Sequence, residues 1–192
     1  VNAGRPSSKE APADEGRRRF VSWLWRIPVL AALGGGAWAG WRFYSVHYGR
    51  LPANPFPEFT DFEEQEVAGI DEFPDAWAAR EFTYAHLPVL ALRVPEPLPG
   101  GVSAGDVHLV AFSRICTHQG CPVELSRDPE AVAFAFNYRS DQPALVCHCH
   151  LSVFSPSRGG AAVSGPAREP LPRVRLELDG RRVFATGVER AA

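Results

Sequence analysis

The sequence predicts an all-β body behind a single N-terminal helix long enough to cross a membrane. Three observations carry this expectation. From about Arg80 the chain reads as short runs of β-branched and aromatic residues broken by Pro and Gly, without an amphipathic helical period. Asp179-Gly180 stands between alternating apolar residues (Val174, Leu176, Leu178, then Val183), the pattern of a tight hairpin. Val21 to Tyr44 is an apolar run with Arg26 and Arg42 as its only formal charges, and about 20 apolar residues suffice to span a bilayer. The chain has 192 residues, 45% of them hydrophobic, enough for one compact domain plus such an appendage.

Residues 1–16 are rich in Pro, Ser, Gly, Ala and charge and read as disordered. Residues 1–19 form a basic tail ending in Arg17-Arg18-Arg19-Phe20, which looks like a twin-arginine export signal, a route for folded, cofactor-loaded proteins. Residues 20–44 are the expected transmembrane anchor. The Arg cluster ahead of it places the N-terminus in the cytoplasm, and Trp23, Trp25, Trp38 and Trp41 suit the two interfaces. Ala37-Trp38-Ala39 has the small-x-small form of a cleavage site. Trp41, Arg42, Phe43 and Tyr44 look instead like the outer border of a retained anchor, and retention is the expectation.

Residues 45–57 contain Pro52, Pro55 and Pro57 without hydrophobic periodicity and read as a semi-rigid, extended linker. Residues 58–192 form the head. Its first stretch, 58–75, holds eight carboxylates and no base; it reads as a solvated face, with docking to a basic partner as the alternative. Candidate strands follow at Phe82 to Val94, Val107 to Ile115, Ala131 to Tyr138, Ala144 to Val146 and Arg173 to Val188. Formal charge is +5 over residues 1–50 and −7 over the remainder. A basic front and an acidic body argue for membrane topology and against nucleic-acid binding. One lysine against nineteen arginines suits a GC-rich bacterial coding sequence.

All four cysteines lie in two boxes, Cys116-Thr117-His118-Gln119-Gly120-Cys121 and Cys147-His148-Cys149-His150. Each box follows a candidate strand, so both sit on loops that project from a sheet. A zinc site of two Cys and two His is one reading, but zinc pairs usually have two to four residues between ligands. Cys116 and His118 have one, and zinc leaves Cys121 and Cys149 without a role. Two plain disulfides would leave His118 and His150 idle.

The order Cys-x-His-x-x-Cys, then Cys-x-Cys-His, resembles the Rieske iron–sulfur family, and specifically the disulfide-containing members of quinol-oxidising cytochrome bc complexes. The chemistry suits the residue types. Two ferric ions and two sulfides carry two positive charges, which two thiolates and two neutral imidazoles bring to zero. A neutral centre accepts an electron more readily than one with four thiolates, roughly −150 to +300 mV against about −400 mV. An imidazole also keeps an outer N–H that ferric iron acidifies and reduction restores, which couples proton to electron.

The resemblance implies a Rieske fold of antiparallel sheets with a cluster-binding subdomain at about 114–172, and a Rieske 2Fe–2S cluster as cofactor. It implies that Cys116 and Cys147 hold one iron, His118 and His150 the other, and that Cys121 and Cys149 form a disulfide. A family serine that donates to a cluster sulfide corresponds to Ser152; the tyrosine that commonly bonds the first cysteine's sulfur is replaced by Phe154. Gly165-Pro166-Ala167 resembles the start of the proline loop that shields the cluster, followed by Arg168 where another Pro is common. Gln119 stands where the docking face often has Leu, His148 where Pro is usual and Leu151 where Gly is usual. Twenty-five residues, Pro122 to Val146, separate the boxes, more than in compact members.

By the same resemblance the chain is an electron-transfer subunit of a quinol–cytochrome c reductase, with no independent catalysis. A quinol held by cytochrome b would hydrogen-bond His150 or His118, giving one electron to the cluster and a proton to the imidazole. The head would then swing on the linker to a c-type cytochrome. With one donor missing at Phe154, the expected potential is lower and suits menaquinol. The head would lie on the outer side of a bacterial cytoplasmic membrane, where disulfides persist, on a single-pass anchor. The small subunit of an arsenite oxidase, beside a molybdenum partner, shares the boxes, the disulfide and the export signal. Oxygenase ferredoxins lack the disulfide pair and the anchor. His47, His86 and His108 match neither box and read as surface or core residues, and Trp77 as packing.

Overall fold

The computed structural model describes residues 14–47 and 49–190. Of residues 1–16, expected to be disordered, 1–13 lie outside the described residues, as does the His47 side chain, whereas Asp14, Glu15 and Gly16 are corrected to the first turn of the helix that continues into the apolar run. The chain divides into a helical unit ending at Tyr44 and a head beginning at Ser45.

The helical unit is built on α1 (Asp14–His47). Its segment Arg18–Ser45 has a mean hydropathy of 1.3 and is long and apolar enough to cross a membrane. Trp23, Leu24, Trp25, Leu30, Leu33 and Trp38 are all exposed, so the helix lacks the polar face of a helix packed on a protein core. Pro28 lies inside it, a position that membrane helices tolerate. These are the properties of a membrane anchor or a signal sequence.

The head runs β1 (Phe59–Gly69), β2 (Ala79–Tyr84), β3 (Leu87–Val94), β4 (Val102–Ala104), β5 (Val107–Ser113), β6 (Glu124–Ser126), α2 (Pro129–Phe136), β7 (Ala144–Cys147), β8 (Ser152–Ser155), β9 (Ala161–Ser164), β10 (Arg173–Asp179) and β11 (Arg182–Glu189). A seven-stranded sheet has the order β1-β11-β10-β5-β3-β2, with β4 also on β5, and a four-stranded sheet has the order β6-β7-β8-β9. Every pairing is antiparallel. This is the expected fold of antiparallel sheets, in which the small sheet is inserted along the chain between β5 and β10, themselves neighbours in the large one.

The expected hairpin joins β10 to β11; Asp179 pairs with Arg182, so its loop is Gly180-Arg181, one residue later than expected, and Gly180 supplies the positive φ of 61° that the turn needs. Two expectations are corrected. The stretch Phe82 to Val94 is a hairpin rather than one strand. Ala85 and His86 form its turn, both at positive φ (49° and 65°), where Asn-Gly would have signalled the geometry and Ala-His does not. The stretch Ala131 to Tyr138, expected as a strand in a helix-free head, is α2. Asp128 caps it by accepting from the N–H groups of Glu130 and Ala131, Pro129 pre-sets the first turn, and Asn137 ends it at φ 50°. These caps outweigh an apparent strand-like alternation; Val132 and Phe136, four apart, form the buried face.

One core fills the large sheet around Phe73, Tyr84, Val89, Leu109, Val174 and Val183. A second lies between the sheets, where Leu92, Phe112, Val123, Leu145, Phe154 and Leu171 pack with Cys116 and Cys147. Burying each large apolar side chain contributes about 1.5–3 kcal/mol, so the box cysteines are seated on the core that holds the sheets together. The middle of the acidic stretch is edge strand β1. Its Asp61, Glu63, Glu64 and Glu66 are exposed, and charged edges resist pairing with other chains.

Linker residues lie on the head. Leu51 N–H donates to Arg168 O at 2.8 Å, and Arg50 Nη2 donates to Gly165 O at 2.9 Å. Arg173, only 1% exposed, donates to both carboxylate oxygens of Glu189, at 2.7 and 2.8 Å, and to the carbonyls of Asn54 and Pro99. A buried charge survives only when it is paired and hydrogen-bonded in this way.

Candidate metal centre

Two β-turn loops and a third segment converge at one end of the small sheet. The first box leaves β5 as a closed hairpin: Ile115 bridges Pro122, Cys116 N–H donates to Cys121 O, Gly120 N–H donates to Cys116 O and Val123 N–H donates to Arg114 O. Gly120 turns the chain at φ 75°, a conformation that glycine adopts without steric cost. The second box caps the β7–β8 hairpin, where Cys147 pairs with Ser152. Leu151 occupies the left-handed region at φ 59°, which costs a non-glycine residue about 1 kcal/mol.

The third segment lies flat on the second box. A Cβ on Gly165 would sit 2.4 Å from Leu151 O and 2.6 Å from Ser152 Cα, so only glycine permits the approach. Ala167 N–H donates to Ser152 Oγ at 3.2 Å, and Thr117 Oγ1 donates to Glu169 O at 2.8 Å. Pro166 is half-buried beside them. The third segment is thus tied to both boxes by side-chain-to-backbone hydrogen bonds.

A disulfide joins Cys121 to Cys149 across the two boxes. Cys116 and Cys147 stand outside the disulfide, 2% and 1% exposed. Burial pushes the Cys147 thiol above the usual range; the backbone N–H groups of Cys149 and His150 pull it down, and neighbouring Cys116 pushes it up. A metal must displace that proton, so loading the site releases it. The sulfurs of Cys121, Cys147 and Cys149 lie within 4.8 Å of one another. Two of them are spent on the disulfide, so that trio is not a metal site in its own right.

The rings of His118 and His150 face each other edge to face, centroids 4.8 Å apart. His118 Nδ1 is buried with no hydrogen-bond partner among the described residues. A buried ring nitrogen left unpaired is costly and is explained by a ligand. His150 is exposed, as are Gln119, His148 and Leu151 around it. Ser152 and Phe154 are fully buried beneath the second box. Two buried thiols, two apposed imidazoles and an orphaned ring nitrogen fit a 2Fe–2S cluster with mixed Cys and His ligation.

His86 and His108 stand apart from this constellation: His86 is in the exposed β2–β3 turn, and His108 Nδ1 bonds Ser103 Oγ at 2.8 Å. Sequence reasoning missed Phe136, whose ring lies 5.1 Å from that of His148 and carries α2 up to the second box. The signal was present in Asp128-Pro129-Glu130, a helix start. It also missed the contacts of Thr117 and Arg50 with the third segment, which no local pattern announces.

A family model described as Rieske [2Fe-2S] domain matches residues 80–175. Iodate reductase subunit IdrB of Denitromonas iodatirespirans is 32% identical over 174 residues, spanning 90% of this chain and 80% of that protein. The cytochrome bc1 complex Rieske iron–sulfur subunit of Streptomyces lividans is 35% identical over 71 residues, 37% of this chain and 35% of that protein. Among solved structures, the soluble domain of Rieske protein II from Sulfolobus acidocaldarius aligns with a TM-score of 0.50 at 25% identity, covering 68% of this chain and 82% of that one. The chain therefore belongs to the Rieske [2Fe-2S] domain family, a carrier of electrons on a Rieske-type 2Fe–2S cluster.

Proposed function

We propose that Cys116 and Cys147 hold one iron of the cluster and His118 and His150 the other. We further propose that the chain is the electron-carrying subunit of a complex whose separate catalytic subunit acts on an oxyanion, in the manner of an iodate reductase. The observation that carries this reading is the span of the likeness. The iodate reductase subunit aligns over 90% of the chain, beyond the head and into the helical unit, whereas the cytochrome bc1 subunit aligns over 37%.

When bound, the cluster accepts one electron and gives it up again. The chain's residues set the terms. Ser152 Oγ accepts from Ala167 N–H, which leaves its own proton to be donated toward a cluster sulfide. The backbone N–H groups of Cys149 and His150 act to lower the Cys147 thiol's pKa, as donors toward a thiolate do. Donors of this kind favour the more negative, reduced state. Phe154 offers none, so the potential lies below that of relatives with a hydroxyl there. His150, on the exposed tip, can exchange a proton with water, and Gln119 and Leu151 form the rim a partner touches. Gly165 and Pro166 shield the third side. Residues 20–44 anchor the head outside a bacterial cytoplasmic membrane, and the tether acts between residues 45 and 57.

A second reading is the Rieske subunit of a quinol–cytochrome c reductase, with menaquinol on cytochrome b as donor and a c-type cytochrome as acceptor. The 35% identity over 71 residues to a cytochrome bc1 Rieske subunit favours it. The complex purified from native membranes, its cluster reduced beforehand, separates the two. Reoxidation by iodate or a related oxyanion, followed by paramagnetic resonance, supports the first. Oxidation by a c-type cytochrome alone, with re-reduction by menaquinol through cytochrome b, replaces it with the second.

A further inference from the structure

A cavity of about 310 Å³ lies away from both boxes, and none of its lining residues belongs to them. Arg50, Tyr138 and Arg158 face it, and Pro52, Ala162 and Val163 form its walls; no carboxylate lines it. The chain beyond residue 50 carries a formal charge of −7. Two guanidinium groups around one small cavity therefore run against the general field of the head.

One group is held by its side chain and the other is placed by its backbone. Arg50 Nη2 donates to Gly165 O, which anchors one guanidinium. Arg158 closes a short 3-10 turn, Pro156–Arg158, held by Gly159 N–H to Pro156 O and Gly160 N–H to Ser155 O. It makes no ion pair and no hydrogen bond among the described residues, although exposed carboxylates are plentiful elsewhere on the head. Tyr138 packs its ring against the small core under α2, and its hydroxyl likewise has no partner among the described residues. Two planar forks and a phenol are the donor set that matches the oxygens of a tetrahedral anion.

We propose that this cavity binds a phosphate-type oxyanion. Free phosphate and the headgroup of an anionic phospholipid share that chemistry; Arg50 is six residues beyond Tyr44 in sequence, where the apolar helical unit ends. Because Arg50 also holds Gly165 O and Leu51 N–H holds Arg168 O, a bound anion fastens the tether to the segment that shields the metal centre.

The full cluster-loaded chain tests this in two arms. In neutral detergent, inorganic phosphate is titrated and its phosphorus resonance followed for broadening. In nanodiscs of phosphatidylcholine with or without phosphatidylglycerol, lipid retention is read by native mass spectrometry. Hydrogen exchange at the Leu51 amide is measured in both. Wild-type protein should bind phosphate, retain phosphatidylglycerol, or both, and Leu51 exchange should slow on binding. Arg158→Gln should weaken binding at least tenfold, Tyr138→Phe a few-fold, and Arg182→Gln, outside the cavity, not at all. The cluster's visible spectrum confirms that each variant is folded. Binding of phosphate alone identifies a free anion, and retention of phosphatidylglycerol alone a lipid. Absence of binding in both arms, or Arg158→Gln indistinguishable from wild type, overturns the proposal.

Discussion

Replacing Cys121 and Cys149 together by serine removes the covalent tie between the two ligand-bearing loops. The bridged residues are 28 apart in sequence; closing a loop of that length stabilises the folded state by about 3.5 kcal/mol on chain-entropy grounds. For a head of about 150 residues, at roughly 2–4 °C per kcal/mol, the melting temperature should fall by about 10 °C. The loss should not be uniform. The first loop keeps its own hairpin bonds, Cys116 N–H to Cys121 O and Gly120 N–H to Cys116 O. The second keeps the β7–β8 pairing. What disappears is the fixed spacing of the tips that carry His118 and His150. In guanidinium titrations the visible absorbance of the variant's cluster should therefore vanish before the far-ultraviolet circular dichroism changes, whereas wild type loses both together. Cluster loss at an unchanged midpoint would refute the assignment of that spacing to the disulfide.

Three further outcomes follow from single residues. Phe154→Tyr places a hydroxyl in a fully buried site beneath the second box; a bond to a cluster-ligating sulfur should raise the midpoint by about 30–60 mV, roughly the equivalent of a threefold to tenfold change, and an unmoved potential would show that the hydroxyl does not reach it. Gly165→Ala forces a Cβ to 2.4 Å from Leu151 O at φ 80°, which should cost about 2–3 kcal/mol through strain and overlap and speed loss of the cluster; a variant as stable as wild type contradicts the close packing. Arg173→Met strands the buried Glu189 carboxylate and should cost about 3–5 kcal/mol in chemical denaturation, while Arg173→Met with Glu189→Leu should recover most of that; equal losses in both would mean the pair is not what matters.

The legible parts of the chain were those in which chemistry is written locally. The two boxes, the apolar run of α1 and the Asp179-Gly180 turn each need only neighbouring residues to be recognised, and β5 and β7 follow from apolar runs that end at the boxes. The Ala131–Tyr138 stretch misled because Ala-Val-Ala-Phe-Ala-Phe satisfies a two-residue period as well as a helical one; only the Asp128 and Asn137 caps decide. The Ala85-His86 turn was hidden because tertiary pairing of β2 with β3 imposes positive φ on residues that carry no preference for it. The bonds from Leu51, Thr117 and Arg173 to residues 168, 169 and 54 join distant parts of the chain. They depend on where strands end in space, which local pattern does not encode.

The central claim is that two thiolates and two imidazoles share the cluster, and a redox titration of the purified holoprotein as a function of pH tests it most directly. Mixed ligation predicts a midpoint within roughly −150 to +300 mV, falling at alkaline pH with a slope approaching about 59 mV per unit for one proton per electron. A midpoint near −400 mV that stays flat across the titration would contradict it.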